Sequence, residues 1–296
     1  MLLFSFPQYE HYAAQLRKLP RWQRGQFSVD RYQNGELFVL VKTPVKGKQC
    51  AILAETAPPD ENLLSLLLLA HTLKKEGAEE VIAIIPYLGY SRHDRSEAGR
   101  DRATEWLGES LKRAGVNEVV TIDAHSAIDA SLFPIPLRSL TSAGVLADAI
   151  SGLPPEAITL VAPDRGAVDN CEAVRDALRS DVAIIPFEKK RIAGRVAVSG
   201  LRGTLRDRVV MVDDMLDTGE TLVRCAEKLH ASGARAITVL VTHGLFSGTL
   251  WRQLRRQGVA HIYCTDTAPH AAAVASQRVT VLSASGILLD HFRRSV

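Results

Sequence analysis

Four times along this chain, an amphipathic stretch closes on glycine and is followed, about three residues later, by a run of β-branched and apolar residues. Leu73-Lys-Lys-Glu-Gly77 leads into Val81-Ile-Ala-Ile-Ile85, and Leu111-Lys-Arg-Ala-Gly115 into Val119-Val-Thr-Ile122. Leu229-His-Ala-Ser-Gly233 leads into Ile237-Thr-Val-Leu-Val241, and Leu254-Arg-Arg-Gln-Gly258 into His261-Ile-Tyr-Cys264. Glycine takes the left-handed conformation that ends a helix without a Cβ penalty, and short continuous apolar runs suit strands buried on both faces. Helix, glycine, strand, repeated, implies alternating α and β elements in largely parallel sheets. Further strands are expected at 38–41, 51–53, 158–161, 182–185 and 209–212. Two of the units fall before about residue 140 and two after it, so the 296 residues divide into two similar α/β domains, 1–139 and 140–296, joined near 138–142.

Charge narrows the function classes. The 36 basic and 33 acidic residues leave a net charge of +3, too balanced for nucleic-acid binding through bulk charge. Cys50, Cys171, Cys225 and Cys264 are scattered without ligand-like spacing, as in a reducing compartment. The start, MLLFSFPQYEHY, has no basic n-region and no long apolar stretch, and the apolar segment 63–73 is too short to span a bilayer. The expected setting is the cytoplasm, with no membrane and no nucleic acid as partner.

The sharpest chemical signal is Val209-Val-Met-Val-Asp213-Asp214-Met-Leu-Asp217-Thr218-Gly219-Glu220-Thr221. An apolar strand ends in paired carboxylates, and a Thr/Gly loop then opens a helix. Free N–H groups and the positive end of the helix dipole favour a phosphate there. Thr218 and Thr221 add hydroxyl donors, and Gly219 lets the backbone come close. Asp213 and Asp214 beside an anion suit vicinal sugar hydroxyls or Mg²⁺. Alone, an Asp-Asp pair reads as a solvated acidic turn; the strand–carboxylates–loop–helix arrangement does not. Glu220 would repel the anion unless its side chain turns away.

Other polar groups follow the same placement. After the strand ending at Pro86 come two tyrosines and then Arg92-His93-Asp94-Arg95, with Arg100 and Arg102 beyond; the guanidinium forks of the four arginines suit a polyphosphate. Thr121-Ile-Asp123-Ala-His125 and Val161-Ala-Pro-Asp164-Arg165-Gly166 again put polar residues at strand C-termini, where open α/β sheets bind ligands. Glu188-Lys189-Lys190-Arg191 offers cations of the kind that close over a transferring phosphoryl group.

Taken in order, these segments resemble the ribose-phosphate diphosphokinases. The 213–221 stretch is similar to the 5-phosphoribosyl diphosphate loop shared with phosphoribosyltransferases. Residues 84–95 resemble the family's IPYxxYARQD stretch, 121–125 its MDLH segment, 162–166 its SPDxGG segment and 189–191 its catalytic K-x-R. Arg31-Tyr32-Gln-Asn34-Gly-Glu36 is similar to its RFxDGE loop. His93, Arg165 and Glu220 depart from the pattern, which has Gln, a small residue and a small residue there.

The resemblance implies two tandem phosphoribosyltransferase-like domains and transfer of the β,γ-diphosphate of ATP to ribose 5-phosphate, with Mg²⁺ as cofactor. It implies catalysis by Lys189 and Arg191, and ribose 5-phosphate on Asp213, Asp214, Asp217, Thr218, Gly219 and Thr221. ATP would meet Tyr32, Asn34, Glu36, Arg92, His93 and Asp94, at a site shared with a neighbouring subunit of a homo-oligomer. His125 and Asp164 would serve the metal. Two alternatives stand beside it: a phosphoribosyltransferase using the 213–221 loop alone, and a non-catalytic homologue that senses nucleotide or sugar phosphate.

Overall fold

The structure, a computed structural model, describes residues 1–91, 102–125, 133–192, 195–199 and 203–294, with 188–192 and 195–199 described as backbone. It forms two compact units: Met1–Leu140 together with the segment from Ser285, and Thr141–Ala284.

The first unit holds β1 (Leu2–Ser5), α1 (Glu10–Leu16), β2 (Gln23–Arg24), β3 (Phe27–Arg31), β4 (Leu37–Val41), β5 (Gln49–Leu53), α2 (Glu61–Lys75), β6 (Glu80–Ile85), α3 (Ala103–Arg113), β7 (Glu118–Ile122) and β8 (Leu137–Leu140). Its sheet runs β2-β1-β5-β6-β7-β8, every pair parallel, and β3 and β4 form a separate antiparallel hairpin. The second unit holds α4 (Ala143–Asp148), β9 (Ile158–Ala162), α5 (Val168–Leu178), β10 (Ile184–Pro186), β11 (Glu188–Ile192), β12 (Arg195–Ser199), β13 (Arg208–Leu216), α6 (Glu220–Ala231), β14 (Ala236–Gly244), β15 (Val259–Thr265) and β16 (Val279–Leu282). Its sheet runs β10-β9-β13-β14-β15-β16, again parallel throughout, with β11 and β12 as the separate hairpin.

The two sheets follow one plan, strand for strand. In each, a hairpin interrupts the chain between the edge strand and the strand that leads into the main helix: β3–β4 before β5 and α2, β11–β12 before β13 and α6.

The repeated glycines close the helices as the pattern implied. Gly77, Gly115 and Gly233 have φ of +88, +97 and +91. Each is followed by an N–H that donates back to a leucine carbonyl at 3.0 Å: Ala78 to Leu73, Val116 to Leu111 and Ala234 to Leu229. The fourth unit differs. Leu250–Gln257 is a 3₁₀ helix that buries Leu254, packs Trp251 against the core and carries Arg252, Arg255 and Arg256.

The expected second domain, 140–296, needs one correction. The helix α7 (Ser285–Arg294) belongs to the first unit. Leu288 and Phe292 are its buried residues, it packs on α1 and β8, and the Phe292 ring meets Trp22 edge-on at 4.9 Å. An amphipathic helix settles where its apolar stripe is covered, whatever its distance along the chain.

Cys50, Cys171, Cys225 and Cys264 are buried and not joined in disulfides, with burial pushing the Cys50 thiol up to about 11. Among the described residues, no helix is long and apolar enough to cross a membrane.

Candidate active site

Strand β13 is the centre of the second unit. Val209 and Met211 enter the core on one side of the sheet, Val210 and Val212 the core on the other. A strand buried on both faces has no use for charge, yet the next two residues are Asp213 and Asp214. Asp214 is 7% exposed, and its N–H donates to Asp213 Oδ1 at 3.0 Å. Asp164 follows the neighbouring strand β9, its Oδ1 accepting the Gly166 N–H at 2.9 Å. Burial first, then the Asp214 and Asp164 carboxylates, push the Asp213 carboxyl well above its usual range. Negative charge crowded this way is relieved by hydroxyl donors or a hard cation.

The strand hands over to α6 through Asp217, Thr218 and Gly219. Gly219 has φ +83, and a Cβ there would lie 2.8 Å from Trp251 Cα. Trp251 packs edge-on against Phe246 at 4.9 Å, and the Leu245 and Phe246 N–H groups both donate to the Leu216 carbonyl at 2.9 Å. The end of β14 thus braces the loop from behind. Beneath it lies a buried polar cluster: His243 Nδ1 with Thr267 Oγ1 at 2.9 Å, Thr265 Oγ1 donating to the Thr242 carbonyl at 2.6 Å, and Thr242 Oγ1 with Ser142 Oγ at 2.8 Å. In front, Thr218 is exposed and Thr221 half-buried, at a helix start whose first N–H groups have no intrahelical partner.

Glu220, the residue that stood out in this loop, is the first of α6 and pairs with Arg224 at 3.0 Å. Sequence reasoning missed Arg224, Trp251 and Phe246. The Glu-to-Arg spacing of one helical turn was a usable signal for the first; nothing local announced the other two.

In the first unit, Tyr32 sits at the hairpin tip, 58% exposed, its ring 4.6 Å from Phe38. The loop is closed by Gly35 N–H to the Tyr32 carbonyl at 2.9 Å, and Asn34 Oδ1 accepts the Glu36 N–H at 3.1 Å. At the end of β7, Asp123 has φ +39 and is fixed by its N–H to the Leu140 carbonyl at 2.7 Å; the Ala124 N–H donates to Ser139 Oγ at 2.9 Å. Half-buried His125 follows directly. Arg92, His93 and Asp94 lie outside the described residues, one position beyond Ser91. Lys189 and Arg191 occupy alternate positions of β11, opposite Val198 and Val196; their side chains lie outside what is described. Among the described residues no group of three or more His, Cys, Asp or Glu side chains closes into a metal-ligand set.

Two parallel-sheet units on one plan, the second carrying paired carboxylates at a strand end and a Thr/Gly loop at a helix start, define a phosphoribosyltransferase-like protein with two such domains. The comparisons sharpen this. Residues 1–115 match the N-terminal domain of ribose phosphate pyrophosphokinase, and residues 176–296 match the phosphoribosyl synthetase-associated domain. A ribose-phosphate pyrophosphokinase of Thermotoga maritima is 32% identical over 92% of this chain and 87% of its own length. One of Chromobacterium violaceum is 34% identical over 91% and 84%. A crystal structure of phosphoribosylpyrophosphate synthetase from Mycobacterium smegmatis superposes with a TM-score of 0.87 at 26% identity, covering 99% of this chain and 98% of that one. The chain belongs to the ribose-phosphate pyrophosphokinase family.

Proposed function

We propose that this chain is a ribose-phosphate diphosphokinase that turns MgATP and ribose 5-phosphate into 5-phosphoribosyl 1-diphosphate and AMP. Beyond family membership, one observation carries the reading: the carboxylate pair of β13, half-buried Asp213 and buried Asp214, is separated by three residues from the Thr218–Gly219 turn at the start of α6. A sugar with vicinal hydroxyls and a terminal phosphate satisfies both ends of that arrangement at once.

In this reading the 5-phosphate takes the Thr218 and Thr221 hydroxyls and the free N–H groups after Gly219. Asp213 and Asp214 accept hydrogen bonds from the 2- and 3-hydroxyls, orienting the anomeric oxygen. That hydroxyl oxygen attacks the β-phosphorus of ATP and gives up its proton to solvent as the bond to the α–β bridging oxygen breaks, and AMP leaves with the bridging oxygen. Lys189 and Arg191 offset the charge spreading over the phosphoryl oxygens, so positioning and electrostatics supply the catalysis. Tyr32, Asn34 and Glu36 take the adenine, with the site shared between subunits of a homo-oligomer, and Arg92, His93 and Asp94 take the polyphosphate.

The residues present fit Mg²⁺. The cation prefers a few carboxylate oxygens plus water and substrate phosphate over an all-protein cage, which suits crowded aspartates without a closed ligand set. His125 in the first unit and Asp164 in the second are each a candidate ligand, and the cation would neutralise polyphosphate charge when bound.

The test is AMP formation from MgATP with and without ribose 5-phosphate, with products resolved by phosphorus NMR. AMP together with a diphosphate signal on the sugar supports the diphosphokinase. Ligand binding without AMP would instead favour the sensing homologue.

A further inference from the structure

In the first unit β5 runs into α2 as β13 runs into α6 in the second. The first unit's turn reads Glu55-Thr-Ala-Pro-Pro-Asp60-Glu61-Asn62, without a Thr/Gly loop, and its polar groups hold neighbouring protein. Asp60 stands at the N-cap of α2 but makes no side-chain capping bond; its carboxylate accepts the Tyr90 hydroxyl proton. Glu61 accepts from Arg31 Nη2, while Arg31 Nη1 reaches the Gly35 carbonyl. Thr56 Oγ1 accepts the Gly89 N–H at 2.8 Å, and a Cβ on Gly89 would lie 3.0 Å from the Thr56 carbonyl carbon. Asn62 Nδ2 ties the turn to itself through the Ala57 carbonyl at 3.0 Å and Glu55 at 3.3 Å.

The two segments gathered on this helix start are those assigned to ATP. One is the hairpin loop carrying Tyr32, Asn34 and Glu36. The other ends at Tyr90, two positions before Arg92. Tyr90 has φ +61, a left-handed backbone that a tyrosine adopts only when its surroundings impose it. Thr104 Oγ1 donates to its carbonyl at 3.1 Å, and the Ser91 hydroxyl donates to the Leu88 carbonyl at 2.7 Å.

We propose that Asp60 and Glu61 are positioning residues that hold the adenine-side hairpin loop and the stretch entering Arg92 in one frame, and so set the affinity for ATP. This rests on the assignment of ATP to those two segments. The geometry supports it from both sides: a two-stranded hairpin is marginal without outside contacts, and Arg31 to Glu61 supplies one at its tip. The hydrogen bond to the Asp60 carboxylate pushes the Tyr90 hydroxyl up to about 12.

The test combines hydrogen exchange on the ligand-free protein with steady-state kinetics of Glu61→Ala and Tyr90→Phe. Each exposed link is worth a modest free energy, so each variant should raise the KM for MgATP ~3–5-fold. The KM for ribose 5-phosphate and kcat should stay within about twofold, since neither link touches that sugar's site. Exchange should rise at 32–36 in Glu61→Ala and at 89–91 in Tyr90→Phe, and Glu61→Gln, which keeps an acceptor oxygen, should recover most of the loss. Unchanged ATP affinity, unchanged exchange, or an equal rise in both KM values would overturn the proposal. If the wild-type protein made no AMP, the proposed function would fail by itself. The clasp would then be judged on exchange and on calorimetric titration with MgATP, read against the same outcomes.

Discussion

Glu220 accepts hydrogen bonds from Arg224 Nε at 3.3 Å and Nη2 at 3.0 Å, one turn along α6. A carboxylate at the first residue of a helix suits the dipole but opposes a phosphate on the same N–H groups. The guanidinium answers this by engaging the carboxylate and adding a positive charge beside the loop. The pairing predicts an asymmetry. Arg224→Ala leaves Glu220 unpaired and should raise the KM for ribose 5-phosphate ~3–10-fold, the scale of a partly exposed charge interaction. Glu220→Ala/Arg224→Ala should return it to within about twofold of wild type. A double variant no better than Arg224→Ala in a steady-state cycle would mean that Arg224 acts on the phosphate directly.

Gly219 is held between a positive φ and the backbone of Trp251. Gly219→Ala asks for a left-handed alanine, at a cost of roughly 1–2 kcal/mol, and also for movement of Trp251 Cα, 2.8 Å from the new Cβ. Both act on the loop proposed to cradle the phosphate. The variant should stay folded by circular dichroism while kcat/KM for ribose 5-phosphate falls by at least tenfold.

The raised Asp213 carboxyl makes a statement about pH. An acid whose folded value lies above its unfolded one binds more protons folded than unfolded between the two values, so stability falls as pH rises through that window. Here the window opens at the usual carboxylate range and extends upward. Without divalent cations, thermal melts of the wild-type protein should decline from about pH 5 towards neutrality more steeply than those of Asp213→Asn. Added Mg²⁺ should raise the wild-type Tm near neutral pH more than that of the variant. Equal slopes in the two proteins would remove the charge-crowding account of this site.

Lys189 and Arg191 have the most to gain from kinetics, because their role is read from strand position and family likeness. Cations that act only on developing charge change the rate and not the binding. Lys189→Ala and Arg191→Ala should each lower kcat by ~10³-fold or more, with calorimetric affinities for MgATP and ribose 5-phosphate within about threefold. Affinity lost in step with rate would make them binding residues.

The fold was legible where the signal was local. The glycine-closed helices and apolar runs marked β6, β7, β14 and β15, because C-cap chemistry and double-sided burial both write themselves into neighbouring residues. Leu2–Ser5 and Val279–Leu282 were missed: one opens the chain and the other is an edge strand, and neither follows a glycine-closed helix. The placement of Asp213, Asp214 and Thr218 between a strand end and a helix start was legible in sequence, since that arrangement forms one contiguous motif. Trp251 packs against Phe246 beside Gly219, and Tyr90 makes a long-range hydrogen bond, reaching thirty residues back to Asp60. Contacts of that kind exist only once the chain has folded.

The same limit explains α7, whose sequence is amphipathic but does not say which unit it covers. Phe292 is 6% exposed, beside Trp22 at 7%, and Leu288 is fully buried. His291, next to Phe292, is held below its ordinary value, chiefly by burial and then by Arg138, both first-unit surroundings. If α7 completes the first unit's core, Phe292→Ala should destabilise the protein by ~3–5 kcal/mol, the usual cost of emptying a buried aromatic site. Hydrogen exchange should then speed up in α1 and β8, which α7 covers, while β13 and β14 keep their protection. The Tm should fall by several degrees even in the absence of ligands. Faster exchange in β13 and β14 with α1 unchanged would return the helix to the second unit.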